Sequence, residues 1–119
     1  MAELQKGQPV HKPRPSFHSF QEFWVFYLSQ HSKPKTRFWH FIGTSLVFLF
    51  IFLAIWKHPL FLLAAPVTAY GLAWYSHFFI EGNKPATFGH PFWSLIADFK
   101  MYFLTLFGQL PKELKKHGL

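Results

Sequence analysis

Two charge-free apolar runs stand three residues apart in this chain, and they leave it few folds. Phe38–Trp56 (FWHFIGTSLVFLFIFLAIW) and Leu60–Ile80 contain no Asp, Glu, Lys or Arg. Each is close to the ~20 residues that carry a helix across the hydrocarbon core of a bilayer. A water-soluble domain covers itself with charge, but only 14% of these residues are charged and 22% are aromatic. Lys57-His58-Pro59 allows only a tight turn between the runs. The expected fold is therefore an all-α integral membrane protein built on an antiparallel transmembrane hairpin, with spans at about 38–56 and 60–80. Trp39 and Trp56 mark the ends of the first span as an aromatic belt would. Pro66 is expected to kink the second span, and Gly71 to admit close helix packing.

The flanks divide the chain into three parts. Residues 1–16 hold three prolines with Lys6, Lys12 and Arg14, and read as a flexible basic tail without the apolar centre of a signal peptide. Residues 17–108 form a single helical membrane domain. Residues 109–119, with Lys112, Lys115 and Lys116, read as a basic C-terminal tail. From Ser19, a candidate cap like Ser16, a short helix runs to about His31. Its stripe of Phe20, Phe23, Trp24, Tyr27 and Leu28 is expected to lie in the membrane interface, aromatic face down. A third helix, 92–108, carries Asp98 and Lys100, which argue for an interfacial or hairpin-packed position with Asp98 facing protein.

The net charge of +7 collects on both ends of the hairpin. No basic helix or aromatic-interleaved motif accompanies it, so nucleic acid is not the expected partner. Basic flanks instead face anionic headgroups, which puts both termini in the cytoplasm and the Lys57 turn opposite. The membrane is a bacterial inner membrane or the endoplasmic reticulum, and membrane lipid is the expected partner.

The chain has eight histidines, five acidic residues and no cysteine. Thiolate metal sites and Cys nucleophiles are excluded. Nucleotide-binding glycine loops, GxSxG and HExxH are also absent. His11, His18, His58 and His117 fall in tails or turns and read as solvated. His31, His40, His77 and His90 differ. In an antiparallel hairpin the start of the first span lies beside the end of the second, so these four gather near one membrane face, together with Glu81 and Asp98. That is a candidate metal site. Imidazole without thiolate suits iron, zinc, copper or nickel. Tyr70, Trp74, His77 and Glu81 share one helical stripe, so Glu81 is expected to accept the spare N–H of His77, or of a neighbouring histidine, and orient it. Asp98 is expected to do the same for another histidine. Arg37, Asn83 and Lys84 stand where the polar head of an amphipathic substrate would meet the interface. Two other readings use the same residues. His40 and His77 could ligate haem between the spans, or the histidines could only bind headgroups in a small structural or lipid-interacting membrane protein.

HSKPKTRFWHFIGTSL and YSHFFIEGNKPATFGHPFWSLIADFKMY resemble the two sequence blocks of a small membrane family first labelled domain of unknown function 962. A fungal member of that family is a 2-hydroxy fatty acid dioxygenase of the endoplasmic reticulum. The resemblance covers about residues 18–108. It implies an Fe(II)-dependent α-oxidation in which a 2-hydroxy fatty acid and O2 give the acid one carbon shorter, CO2 and water. It also implies His31, His40 and His77 as metal ligands, ranks His90 below them, and makes Glu81 and Asp98 supports of the ligands.

Overall fold

The computed structural model describes residues 17–119, so the expected tail over 1–16, His11 and the candidate cap Ser16 lie outside the described residues. Among the described residues every element is helical. α1 spans Phe20–Ser29, α2 Pro34–Trp56, α3 Phe61–Ser76, α4 Pro91–Leu106 and α5 Leu110–Lys116. A π-helical turn, His77–Glu81, continues α3, and a single 3-10 turn, Ala86–Phe88, precedes α4.

α2 packs against α3 as the antiparallel pair that the short link requires. At 23 residues α2 is about 35 Å long, enough for a bilayer core of about 30 Å. Among the described residues it is the one helix that is long and apolar enough to cross a membrane. Only 11% of its most apolar stretch is buried, so it is not the core helix of a globule. α3 is shorter, at 16 residues. It too exposes large apolar side chains, among them Leu60 before it and Leu63 and Val67 within it. Pro66 lies inside α3 without ending it.

The close approach of the pair falls on Gly43, where a Cβ would meet the Ala69 Cα and carbonyl oxygen at 3.4 Å. It does not fall on Gly71, where a Cβ would meet open space. Composition marks both glycines as small, but only the relative rotation of the two helices decides which one faces the partner.

α1 differs from its expected place. Ser19 Oγ caps it by accepting from the Glu22 N–H, and Glu22 in turn accepts from the His18 N–H at 2.9 Å. The stripe Phe23, Trp24, Tyr27 and Leu28 is fully buried against Ala97 and Met101 of α4 and Leu110 of α5, rather than lying on lipid. Helical periodicity identifies an apolar face without saying what covers it. The same packing explains the charges of α4. Lys100 Nζ lies 4.4 Å from the Trp24 ring, a cation–π contact, and Asp98 faces Tyr27. The basic C-terminal stretch carries α5, which is pinned where Trp24 Nε1 donates to Glu113 at 2.7 Å.

Replacing Gly43 with Leu should force α2 from α3 and lower the melting temperature in detergent. Gly71→Ala should leave it unchanged or raise it, since Ala is favoured over Gly in a helix by up to about 1 kcal/mol. An equal loss in both variants would contradict this packing.

Candidate metal centre

Three separate elements bring one imidazole each to a single buried point. His31 follows α1, His40 lies in the second turn of α2, and His77 opens the π-helical turn after α3. Their exposures are 0, 7 and 1%. One nitrogen from each ring lies within 4.8 Å of the others. His77 Nε2 is 3.0 Å from His31 Nε2 and 3.2 Å from His40 Nε2.

The opposite ring nitrogens fix the tautomers. His31 Nδ1 donates to the Tyr27 carbonyl at 2.7 Å. His77 Nδ1 donates to Asn83 Oδ1, also at 2.7 Å. The Asn83 amide is itself oriented, because its Nδ2 donates to the Gln30 carbonyl at 2.9 Å and to Gln30 Oε1 at 3.1 Å. The Nε2 atoms of His31 and His77 therefore both carry lone pairs, and these face each other. Burial, with His77 beside it, pushes His31 down to about 3, so at neutral pH no extra proton relieves the opposition. His40 has one proton to give and can satisfy only one of the two lone pairs. A cation satisfies all three rings. Metal–nitrogen bonds of about 2.1 Å set neighbouring ligand nitrogens roughly 3 to 3.5 Å apart, the range in which His77 Nε2 stands from its two neighbours. The residues fit a metal ion held by three neutral imidazoles. They do not fit haem held between His40 and His77, because the chamber at these rings has only about 10 Å³ of free space and no room for a porphyrin.

The π-helical turn is what builds this arrangement. The N–H groups of Gly82 and Asn83 both bond the His77 carbonyl, at 2.8 and 2.9 Å. Gly82 takes φ +82°, a left-handed conformation that suits glycine, and the chain folds back so that Asn83 sits against His77. Glu81 thereby leaves the stripe it would occupy in a regular α-helix. It does not orient His77, because Asn83 does. Glu81 instead accepts from the Ser32 N–H and hydroxyl, the Lys33 N–H at 3.0 Å and Thr36 Oγ1 at 2.6 Å. Burial pulls its carboxyl up, but these hydrogen bonds outweigh it and hold the pKa below the ordinary range. Glu81 thus ties the end of α3 to the loop that carries His31 and to the start of α2.

Asp98 stands on the other side of the centre. Its Oδ1 accepts from the Tyr27 hydroxyl and lies 3.8 Å from His40 Nδ1, too far for a hydrogen bond. Burial raises its carboxyl to about 7, against the pull of the Tyr27 bond. Arg37 is drawn inward, donating through Nη1 to the His31 and Ser32 carbonyls at 2.7 and 2.9 Å. Lys84 is exposed and lines a separate cavity with Phe26 and Gln30. His90 is not part of the group of three. Its ring packs among Phe17, Phe23 and Trp93, with centroids 5.2, 5.3 and 5.7 Å away. It precedes α4 directly, and α4 turns it toward the aromatic core with α1.

Two features escaped sequence reasoning. The first is the role of Asn83, hidden because a regular helical wheel does not describe a π-helical turn. The second is Ser94. It is 1% exposed and lines the small chamber at the histidines, and among the described residues its Oγ is the buried side-chain atom without a hydrogen-bond partner. Its signals were its place in the second sequence block and its position one helical turn before Asp98 on the same face of α4.

The fold and site define a class: an all-α protein built around a buried three-histidine centre capable of coordinating a metal ion. The chain belongs to the family described as 2-hydroxy-palmitic acid dioxygenase Mpo1-like, whose model matches residues 17–110, from just before α1 to the first residue of α5. No curated protein and no solved structure matches it.

Purified anaerobically in the presence of ferrous iron, His77→Ala should fail to retain bound metal, whereas His90→Ala and His117→Ala should retain it. Asn83→Leu should weaken metal binding by about 10–100-fold, the usual effect of removing the partner that orients a ligating histidine. Equal iron content in all four variants, measured by elemental analysis, would remove this centre.

Proposed function

We propose that the protein is a membrane-embedded, iron(II)-dependent dioxygenase that shortens 2-hydroxy fatty acids by one carbon. The observation that carries this reading is the set of opposed Nε2 lone pairs in a buried chamber, in a chain of the 2-hydroxy-palmitic acid dioxygenase-like family. The α2–α3 pair is the transmembrane hairpin, supported by the apolar side chains both helices expose. Both termini are cytoplasmic, in a bacterial inner membrane or the endoplasmic reticulum, on the strength of the basic flanks.

The reaction balances without another reductant. A 2-hydroxy acid and O2 become the acid one carbon shorter, CO2 and water. The bond between the carboxyl carbon and the hydroxyl-bearing carbon breaks, the former leaves as CO2, and the latter becomes the new carboxyl carbon. The substrate supplies all four electrons that O2 takes up.

Iron, when bound, would supply the redox centre at which O2 and the substrate meet. His31, His40 and His77 would hold it. The Tyr27 carbonyl and Asn83 keep protons on Nδ1 of His31 and His77, so that Nε2 stays free for the metal. The Asp98 carboxyl and Tyr27 hydroxyl hold a proton at the chamber wall beside His40. Glu81 and Arg37 fix the loop between α1 and α2 and with it His31. The buried walls exclude bulk water from the reacting groups.

The protein, loaded with iron anaerobically and then given O2, should consume O2 and form the one-carbon-shorter acid from 2-hydroxypalmitate but not from palmitate. Equal turnover of both acids, or of neither, would overturn the reading.

A further inference from the structure

A groove of about 300 Å³ runs between α2, α3 and α4 and ends at His40, which it shares with the histidine chamber. On α2 its wall is His40, Thr44 and Val47, one helical face spanning about 10 Å at 1.5 Å per residue. α3 runs antiparallel, so Ala73 lies toward the His40 end and Ala65 toward the Val47 end. The groove is therefore graded. One end is polar, with His40 and Asp98, and shares both with the histidine chamber. The other end, at Val47, Ala65 and Pro66, is apolar. Pro66 there and Leu95 along the groove are exposed, on the same apolar surface that faces lipid in the proposed membrane orientation.

The occupant follows from the two ends. The chamber at the histidines offers only about 10 Å³ of free space, close to one water-sized sphere. A phosphate or sugar headgroup does not fit there, but a group as small as a hydroxyl or carboxyl oxygen does. The buried Ser94 hydroxyl, unpartnered at that chamber, is left unsatisfied in this state and gives such an oxygen a hydrogen-bond partner. The groove then takes one apolar chain attached to that head.

We propose that this groove is the acyl-chain site, entered sideways from lipid, and that Ala65 and Val47 at its far end set the chain length accepted. The inference rests on the dioxygenase reading for the identity of the head. The site itself rests on the shape of the groove and the small side chain of Ala65, which is 7% exposed. A larger residue at 65 fills the apolar end without touching the histidines.

The test uses the full-length protein in detergent. In the iron-loaded enzyme, Ala65→Phe should lower kcat/KM for 2-hydroxypalmitate by at least about tenfold and leave 2-hydroxybutanoate, whose chain ends well short of residue 65, within about twofold. Val47→Ala should move the preference toward longer acids, which keeps the test informative if Ala65→Phe does not fold. Leu63→Phe, on the exposed face of α3, should change neither. A diazirine-bearing palmitate, read by mass spectrometry, probes the groove without turnover. Its label should fall on groove residues of α2, α3 and α4, be displaced by 2-hydroxypalmitate, and be lost in Ala65→Phe but not in Leu63→Phe. That labelling pattern with no turnover would sustain the groove and remove the reaction. Labelling spread evenly over the lipid-facing residues, or unaltered chain-length preference in both groove variants, would overturn the proposal.

Discussion

The structure depends on one unfavourable contact, the meeting of two imidazole lone pairs 3.0 Å apart in a buried chamber. Left to themselves, two acceptors in a low-dielectric interior repel each other, and either ring would turn or take up a proton. Neither can. Tyr27 and Asn83 hold the Nδ1 protons, and burial keeps His31 neutral. Much of the surrounding architecture maintains this arrangement: the buried face of α1, the π-helical turn, the amide of Asn83 locked on Gln30, and the tether from Glu81 to the start of α2.

The helices divide the work. α2 and α3 are apolar outside and carry two of the three histidines at one end, so the pair places the centre near a membrane face in the proposed orientation. The loop after α1 supplies the third histidine, and α1, α4 and α5 form an aromatic core beside the centre. On α4, Ser94 and Asp98 line the chamber and Lys100 covers the Trp24 ring, while Phe92, Leu95 and Ile96 are exposed. The result is a chamber that is polar at its floor and opens along an apolar wall, which matches an amphipathic substrate that carries its reactive end first.

Much of this was legible in the sequence. The charge-free runs and three-residue link dictate the antiparallel pair, and antiparallel pairing alone places His31, His40 and His77 at the same end. What periodicity could not supply was contact. It gave the apolar face of α1 but not its partner, so a core helix read as an interfacial one. It gave Glu81 a place beneath His77, but the chain winds as a π-helix at that point and Asn83 takes the position. His90 stood close to the other histidines along the chain, yet the start of α4 turns it into the aromatic core. Gly43 and Gly71 are alike in composition, and helix rotation alone separates the one that matters.

The most direct measurement is anomalous diffraction at the iron edge on crystals of the iron-loaded protein. The account predicts one peak within bonding distance of Nε2 of His31, His40 and His77, with Nδ1 of His31 and His77 still bonded to Tyr27 and Asn83. A peak bound by fewer than these three rings, or one that includes His90, would contradict it.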